Sequence, residues 1–248
     1  MATAAASAQQ FKQASILDHL EELRWRLIYA VAAWMVGSGV AYAFRDRILA
    51  ILQGPLQGFR GAGNQVDVVA TSVTDPLVTV FYVAGFGGLI LALPVIVYQI
   101  WAFVAPGLTD RERRWGGPFI VGLGFSFAIG CAFAYFVILP YAIPFLLGLL
   151  SGIRYFLSIG TYIQTMVTYM AIFGLLFELP ITLFLLTKVG LVNARGLAAA
   201  RRVAVMVIVA ASAILTPTAD PFNLALMAVP MWLLYELGIV LSRVAGRQ

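Results

Sequence analysis

A chain of 248 residues is long enough for one large domain or two small ones. It is 62% hydrophobic and only 11% charged, where a soluble domain carries about a quarter charged residues. Its mean hydropathy of +0.93 leaves too little polar surface to cover a water-soluble globule. An ordinary soluble enzyme, a disordered chain and a nucleic-acid-binding module are therefore excluded. The net charge of +5 reads as the Lys and Arg excess of cytoplasmic membrane loops, with no nucleic-acid partner expected. The apolar runs are long and unbroken, unlike the alternating ten-residue segments of an outer-membrane barrel. What remains is an all-α integral membrane protein, read as a single membrane domain over 1–248.

Met1–Gln10 is small and polar and lacks the basic n-region of a cleaved signal, so the expectation is a cytoplasmic arm (1–24) followed by a retained anchor. Within the arm, Ser15-Ile16-Leu17-Asp18 has the form of a capping box and predicts a helix opening at Ile16. Ile16, Leu20, Leu23 and Leu27 then share one stripe, with Asp18 and Glu22 on the opposite face. This predicts an amphipathic helix at the cytoplasmic surface. Its acidic polar face would be repelled by anionic lipid, which favours a basic partner. The alternative is a solvated face in which Glu22 and Arg26 form an i,i+4 pair.

A membrane helix needs about 20 apolar residues, and six spans are predicted at about 25–44, 77–104, 118–139, 162–187, 203–215 and 222–241. The fifth holds only 13 residues. At about 1.5 Å per residue it falls well short of a hydrocarbon core about 30 Å thick, so its ends must snorkel or the bilayer must thin. Six spans place both termini on one side. Twelve Lys and Arg fall on that side and four on the other, so both termini are expected in the cytoplasm. Asp75-Pro76 and Asp220-Pro221 suit helix starts, with Asp as N-cap and Pro in the first turn. Arg45–Leu52 can form a short helix. Pro140 and Pro144 are expected to close the third span, and Tyr141–Ile159 to lie in the outer interface across the helix ends. No internal repeat is visible, which argues against an inverted-repeat transporter.

Charged residues inside spans are expensive and come first as candidates. Glu178 stands in Phe177-Glu178-Leu179-Pro180, near the middle of the fourth span, where Pro180 bends the helix. It serves either a hydrated functional site or a hydrogen bond that glues two helices. Gln99 and Gln164 are polar span residues near an interface, and Glu236 can pair with Arg243 near the cytoplasmic end of the last span. In the second loop, Thr109 to Glu112 also has capping-box spacing, so Glu112 can simply cap the next helix. Gly116, Gly117 and Pro118 predict a bend where that helix enters the bilayer. The single Cys131 allows no intrachain disulfide and reads as packing. The single His19 cannot build a His-based metal cluster, and there is no GxxxxGK[ST] loop or acidic pair in a span. Neither a metal, a cofactor nor an enzymatic activity is expected. A proton-coupled secondary transporter using Glu178 is the alternative function.

Four segments together, His19-Leu20-Glu21-Glu22-Leu23-Arg24, Phe103–Arg114, Phe177–Pro180 and Leu215-Thr216-Pro217 with Asp220, resemble the TatC family, the polytopic receptor subunit of the twin-arginine protein translocase. The resemblance runs from about Ile16 to Leu241 in the same order. It implies a concave, cupped bundle with short fifth and sixth helices in the bacterial cytoplasmic (inner) membrane. It implies proton-motive-force-driven export of folded proteins carrying twin-arginine signal peptides. The implied partners are those signal peptides, the single-span subunits TatA and TatB, and membrane lipids, in a hetero-oligomer with several copies. By the same resemblance Glu22 and Glu112 take the places of the carboxylates that receive the two arginines, and Phe103 that of a nearby aromatic. An Arg guanidinium meets a carboxylate through two parallel hydrogen bonds that Lys cannot reproduce. Glu178 matches an intramembrane glutamate implied to contact TatA and TatB or to hydrate the concave face, with Gln99 a further polar contact. Asp75, Pro76 and Asp220 match outer-side positions, read here mainly as helix starts.

Overall fold

The computed structural model describes residues 2–56, 66–107, 113, 116–149, 154–216 and 220–246, with side chains from Asp18 onward. The chain opens with one unbroken helix, α1 (Ala2–Ala43). Its start corrects the expected cap at Ser15. The segment is rich in Ala, the best helix former, and contains no proline before Pro55, so nothing stops the helix from reaching back to Ala2. The stripe of the expected amphipathic helix faces out of the protein. Leu20, Leu23 and Leu27 are 56%, 42% and 62% exposed. The face partly or fully buried instead carries Glu22, Arg26, Ala30, Ala33, Gly37 and Ala41. Lipid tails solvate leucine as well as a protein core does, so the polar and small residues are the ones that gain from helix contact.

That inner face packs along α3 (Asp75–Val104). A side chain at Gly88 would run into the backbone of Ser38, and one at Gly37 into the carbonyl of Gly88. The indole Nε1 of Trp34 donates to the carbonyl of Gly85 at 2.8 Å. Between these helices lies α2 (Arg45–Leu52), as its sequence predicts. Its last carbonyls have no partner within the helix. Tyr135 Oη donates to the carbonyl of Ile51 at 2.7 Å and Tyr162 Oη to that of Leu52 at 2.9 Å.

The third long helix departs from expectation at both ends. Gly116, Gly117 and Pro118 form the first turn of α4 (Gly116–Phe133) rather than a bend, with Gly116 against the Trp101 indole. At the far end, Pro140 and Pro144 do not terminate it. A π turn (Ala134–Ile138) intervenes, closed by the Leu139 amide donating to the carbonyl of Ala134, and α5 (Leu139–Gly148) continues the rod. Pro140 sits in the first turn after the π turn, where a missing N–H costs least. The chain then forms β2 (Tyr155–Ser158), which pairs in parallel with β1 (Val66–Val69), Val66 opposite Tyr155 and Val69 opposite Ser158. Arg154 bonds Asp67 at 2.7 Å beside the pair.

α6 (Ile159–Lys188) crosses α4 closely, because a side chain at Gly130 would strike the Phe173 carbonyl and Gly174. The buried cluster of Phe86, Phe127, Cys131, Ile163, Met166 and Phe173 fills the space between α3, α4 and α6. After α7 (Ala194–Ala199) comes the short α8 (Arg201–Leu215), which packs mainly on α9 (Pro221–Ala245). The last helix is 25 residues long and not short as expected. No glycine or proline stands between Leu241 and the C-cap Gly246, and Ser242 Oγ bonds the carbonyl of Leu183 at 3.3 Å, holding the extra turn on α6. Among the described residues five helices are long and apolar enough to cross a membrane: Asp18–Ala43, Asp75–Val104, Gly116–Gly148, Ile159–Lys188 and Pro221–Ala245.

Candidate functional site

The inner face of α1 and the last turns of α3 bring Glu22, Gln99 and Phe103 together. Glu22 Oε1 accepts from Arg26 Nε at 3.0 Å and from Arg26 Nη2 at 2.5 Å. Arg26 Nη1 also reaches Gln99 Oε1 at 3.5 Å, across the two helices. His19 lies one turn before Glu22, with Nδ1 3.4 Å from Glu22 Oε2. Its ring stacks on Phe103 with centroids 4.3 Å apart and planes 12° from parallel. The result is a carboxylate flanked by a guanidinium on one side and an aromatic wall on the other. Glu22 and Arg26 retain 33% and 24% of their side-chain surface, so a ligand can reach the pair. The hydrogen bond from Arg26 holds the Glu22 carboxyl below its ordinary value, against a smaller opposing effect of burial.

The i,i+4 pair is thus present, and it uses the same carboxylate that the receptor reading needs. Glu112, the second expected carboxylate, lies outside the described residues. Arg26 and His19 were not singled out from sequence as site residues. Their i,i+3 and i,i+4 spacing to Glu22 is the signal that marks them. Gln99 lies in this cluster, where α1 brings Arg26 to it.

Glu178 stands apart, on α6 facing α4. Its Oε2 is buried and has no hydrogen-bond partner among the described residues. Nearby, Ser126 Oγ of α4 donates to the carbonyl of Phe177 at 2.6 Å. Glu236 is structural, but its partner is Arg201 of α8 rather than Arg243, with Nε to Oε1 at 2.7 Å and Nη2 to Oε2 at 2.8 Å. α8 packs on α9 at this point, whereas Arg243 lies two turns further along the same helix.

The outer-side positions divide. Asp220 is the N-cap of α9, its carboxylate accepting from the Asn223 amide at 2.8 Å. Asp75 is not a cap. Thr74 holds the N-cap position of α3, with Pro76 following in the first turn. The Asp75 carboxylate turns back to accept from the Thr71 amide at 2.8 Å, the Ser72 amide at 3.2 Å and Ser158 Oγ at 2.9 Å. These bonds, led by the Thr71 amide, hold its carboxyl below the ordinary value. Asp75 therefore ties the start of α3 to the end of β2. Among the described residues no three His, Cys, Asp or Glu side chains group to hold a metal ion.

Comparison with known proteins bears on the whole chain. The family profile of the Sec-independent protein translocase protein (TatC) matches residues 18–230. The Sec-independent protein translocase protein TatC of Deinococcus radiodurans is 45% identical over 237 residues, covering 95% of this chain and 88% of that protein. The one from Aquifex aeolicus is 37% identical, covering 94% and 96%. A crystal structure of the twin-arginine translocase receptor TatC superposes with a TM-score of 0.81 at 36% identity, covering 92% of this chain and 100% of that one. With five apolar helices and a translocation component's fold, this is a multi-pass membrane protein of a transport system and not an enzyme. Sequence, fold and the order of the helices agree along nearly the full length: the chain belongs to the TatC family of Sec-independent protein translocase proteins.

Proposed function

We propose that this chain receives the paired arginines of twin-arginine signal peptides, with Glu22 as one acceptor. The observation that carries this is the bond already made there: two N–H groups of one guanidinium, Arg26, fall on Glu22 Oε1. A signal-peptide arginine would displace Arg26, which Gln99 is positioned to retain. Phe103 and His19 wall the site, and Glu112 supplies the second carboxylate. Six spans, with α8 as the fifth, leave both termini in the cytoplasm of a bacterial cell, as the Lys and Arg distribution favours. The partners are TatA and TatB, in a hetero-oligomer of several copies that moves folded proteins on the proton-motive force. Glu178, with its buried unpartnered oxygen, is assigned to contact with a single-span partner.

The test is crosslinking in native-like membranes, with a photo-crosslinking residue in place of Arg113, beside Glu112. A peptide with Arg-Arg should crosslink about tenfold better than the same peptide with Lys-Lys, a difference of ~1.4 kcal/mol. Glu22→Ala and Glu112→Ala should each abolish that preference. Equal crosslinking of both peptides would remove the carboxylate assignment and return Glu178 to consideration as the centre of a proton-coupled secondary transporter.

A further inference from the structure

We infer that the cavity between the loop following α6 and the last turn of α9 holds the phosphate of an anionic phospholipid. The cavity measures about 670 Å³ and is lined by Thr187, Asn193, Arg195, Ala198, Ser242 and Arg243, among others, with no carboxylate among the described residues. Its charge comes from the two arginines. Neither makes a hydrogen bond or ion pair among the described residues. Arg26, Arg154 and Arg201, by contrast, are each held by a carboxylate. The nearest acid on α9, Glu236, is bonded by both arms of Arg201, and Arg243 acts on it only through space, without a bond.

Helix ends account for only one of the two. Arg243 is in the last turn of α9, where a cation suits the exposed carbonyls. Arg195 stands in the first turn of α7, where the backbone offers a cation nothing. Its guanidinium is therefore left open to solvent or to a bound anion. Thr187 and Ser242 do not compete as donors, since both hydroxyls bond the carbonyl of Leu183, at 2.8 Å and 3.3 Å. The guanidinium groups are left as the donors, and they suit a phosphate.

The surroundings favour a lipid over a soluble phosphate. The cavity lies where two long apolar helices end, which is where a helix that crosses a membrane meets the headgroups. Leu191 and Val244, next to it in the chain, are 71% and 76% exposed, and Val240, one turn earlier on α9, is 50% exposed. A diacyl phosphodiester satisfies the arginines and covers these side chains together, whereas a free phosphate satisfies the arginines alone. That the leaflet is the cytoplasmic one rests on the orientation proposed above. The phosphate site itself does not.

The experiment is native mass spectrometry of the full-length chain, purified and mixed with phosphatidylglycerol or phosphatidylcholine. The wild type should retain phosphatidylglycerol at least fivefold over phosphatidylcholine. Arg195→Gln with Arg243→Gln should lose that preference, and Arg195→Lys with Arg243→Lys should keep most of it. Both side chains are exposed, so melting in phosphatidylcholine alone should match the wild type, and each single Gln variant repeats the comparison. Millimolar inorganic phosphate should leave phosphatidylglycerol occupancy unchanged. Equal retention by wild type and the Gln pair, or no preference over phosphatidylcholine, overturns the proposal. Displacement by inorganic phosphate also overturns it and makes the cavity a small-anion site. Signal-peptide crosslinking beside Glu112 should be unaffected by these substitutions, so the two readings fail separately.

Discussion

Glu22 is bonded twice by an arginine of its own helix, so any arginine arriving from outside must compete with Arg26. This makes Arg26 a placeholder, and its removal should help the ligand. Arg26→Gln is expected to tighten binding of an Arg-Arg peptide severalfold, read as the concentration giving half-maximal crosslinking. Weaker binding would make Arg26 a positioning residue that holds the carboxylate for the peptide. The pH dependence follows from the same bond. Because Arg26 holds the Glu22 carboxyl below its ordinary value of 4.5, the group is ionised throughout the neutral range. Its contribution is complete above that value and is lost as pH falls through the lower, folded one. Peptide binding should therefore stay flat from about pH 8 to 6 on this group's account and decline only in acid. In Arg26→Gln the decline should begin at a higher pH.

Among the helices, glycine marks where backbones meet. Gly130 and Gly124 lie on the same helix, yet a methyl at Gly130 would meet the Phe173 carbonyl while one at Gly124 meets nothing within 4 Å. Gly130→Ala should destabilise by about 1–3 kcal/mol, the usual cost of overpacking. Gly124→Ala should be neutral or stabilising by up to about 1 kcal/mol from helix propensity. Thermal unfolding in one detergent checks the pair, and equal effects would mean that α4 and α6 are not in backbone contact. The long helices were legible because apolar runs of about twenty residues have few alternatives. Glu22 was legible because an acidic face beside a membrane is unusual. The contact face of α1 was not legible, because the Leu20 and Leu27 stripe faces outward and the contact with α3 is made by small and polar residues that a hydrophobic stripe does not mark. The β1 and β2 pairing was not legible. Each strand has four residues, and its partner lies almost ninety positions away.

At the scale of the whole chain, α8 decides the topology. Five crossing helices would leave the termini on opposite sides, and only a sixth crossing returns them to one. α8 has 15 residues, a rise of about 22 Å against a hydrocarbon core of about 30 Å. It can cross if its ends draw the bilayer in, and its first turn is suited to this. Arg201 and Arg202 open it and can snorkel toward water, and Arg201 is also fixed to Glu236. Cysteine accessibility tests the crossing with little background, because the native Cys131 is buried. Val73, which is 99% exposed, and Phe222, which is 43% exposed, lie beyond the outer ends of α3 and α8 in this reading, and Ala199 precedes α8 on the inner side. In intact cells a membrane-impermeant maleimide should label Val73→Cys and Phe222→Cys but reach Ala199→Cys only after lysis. If Phe222→Cys behaved like Ala199→Cys, α8 would not cross, and the termini would face opposite sides. If all three reversed, Glu22 would sit on the wrong side for a peptide arriving from the cytoplasm. The cavity of Arg195 and Arg243 would then open on the outer leaflet.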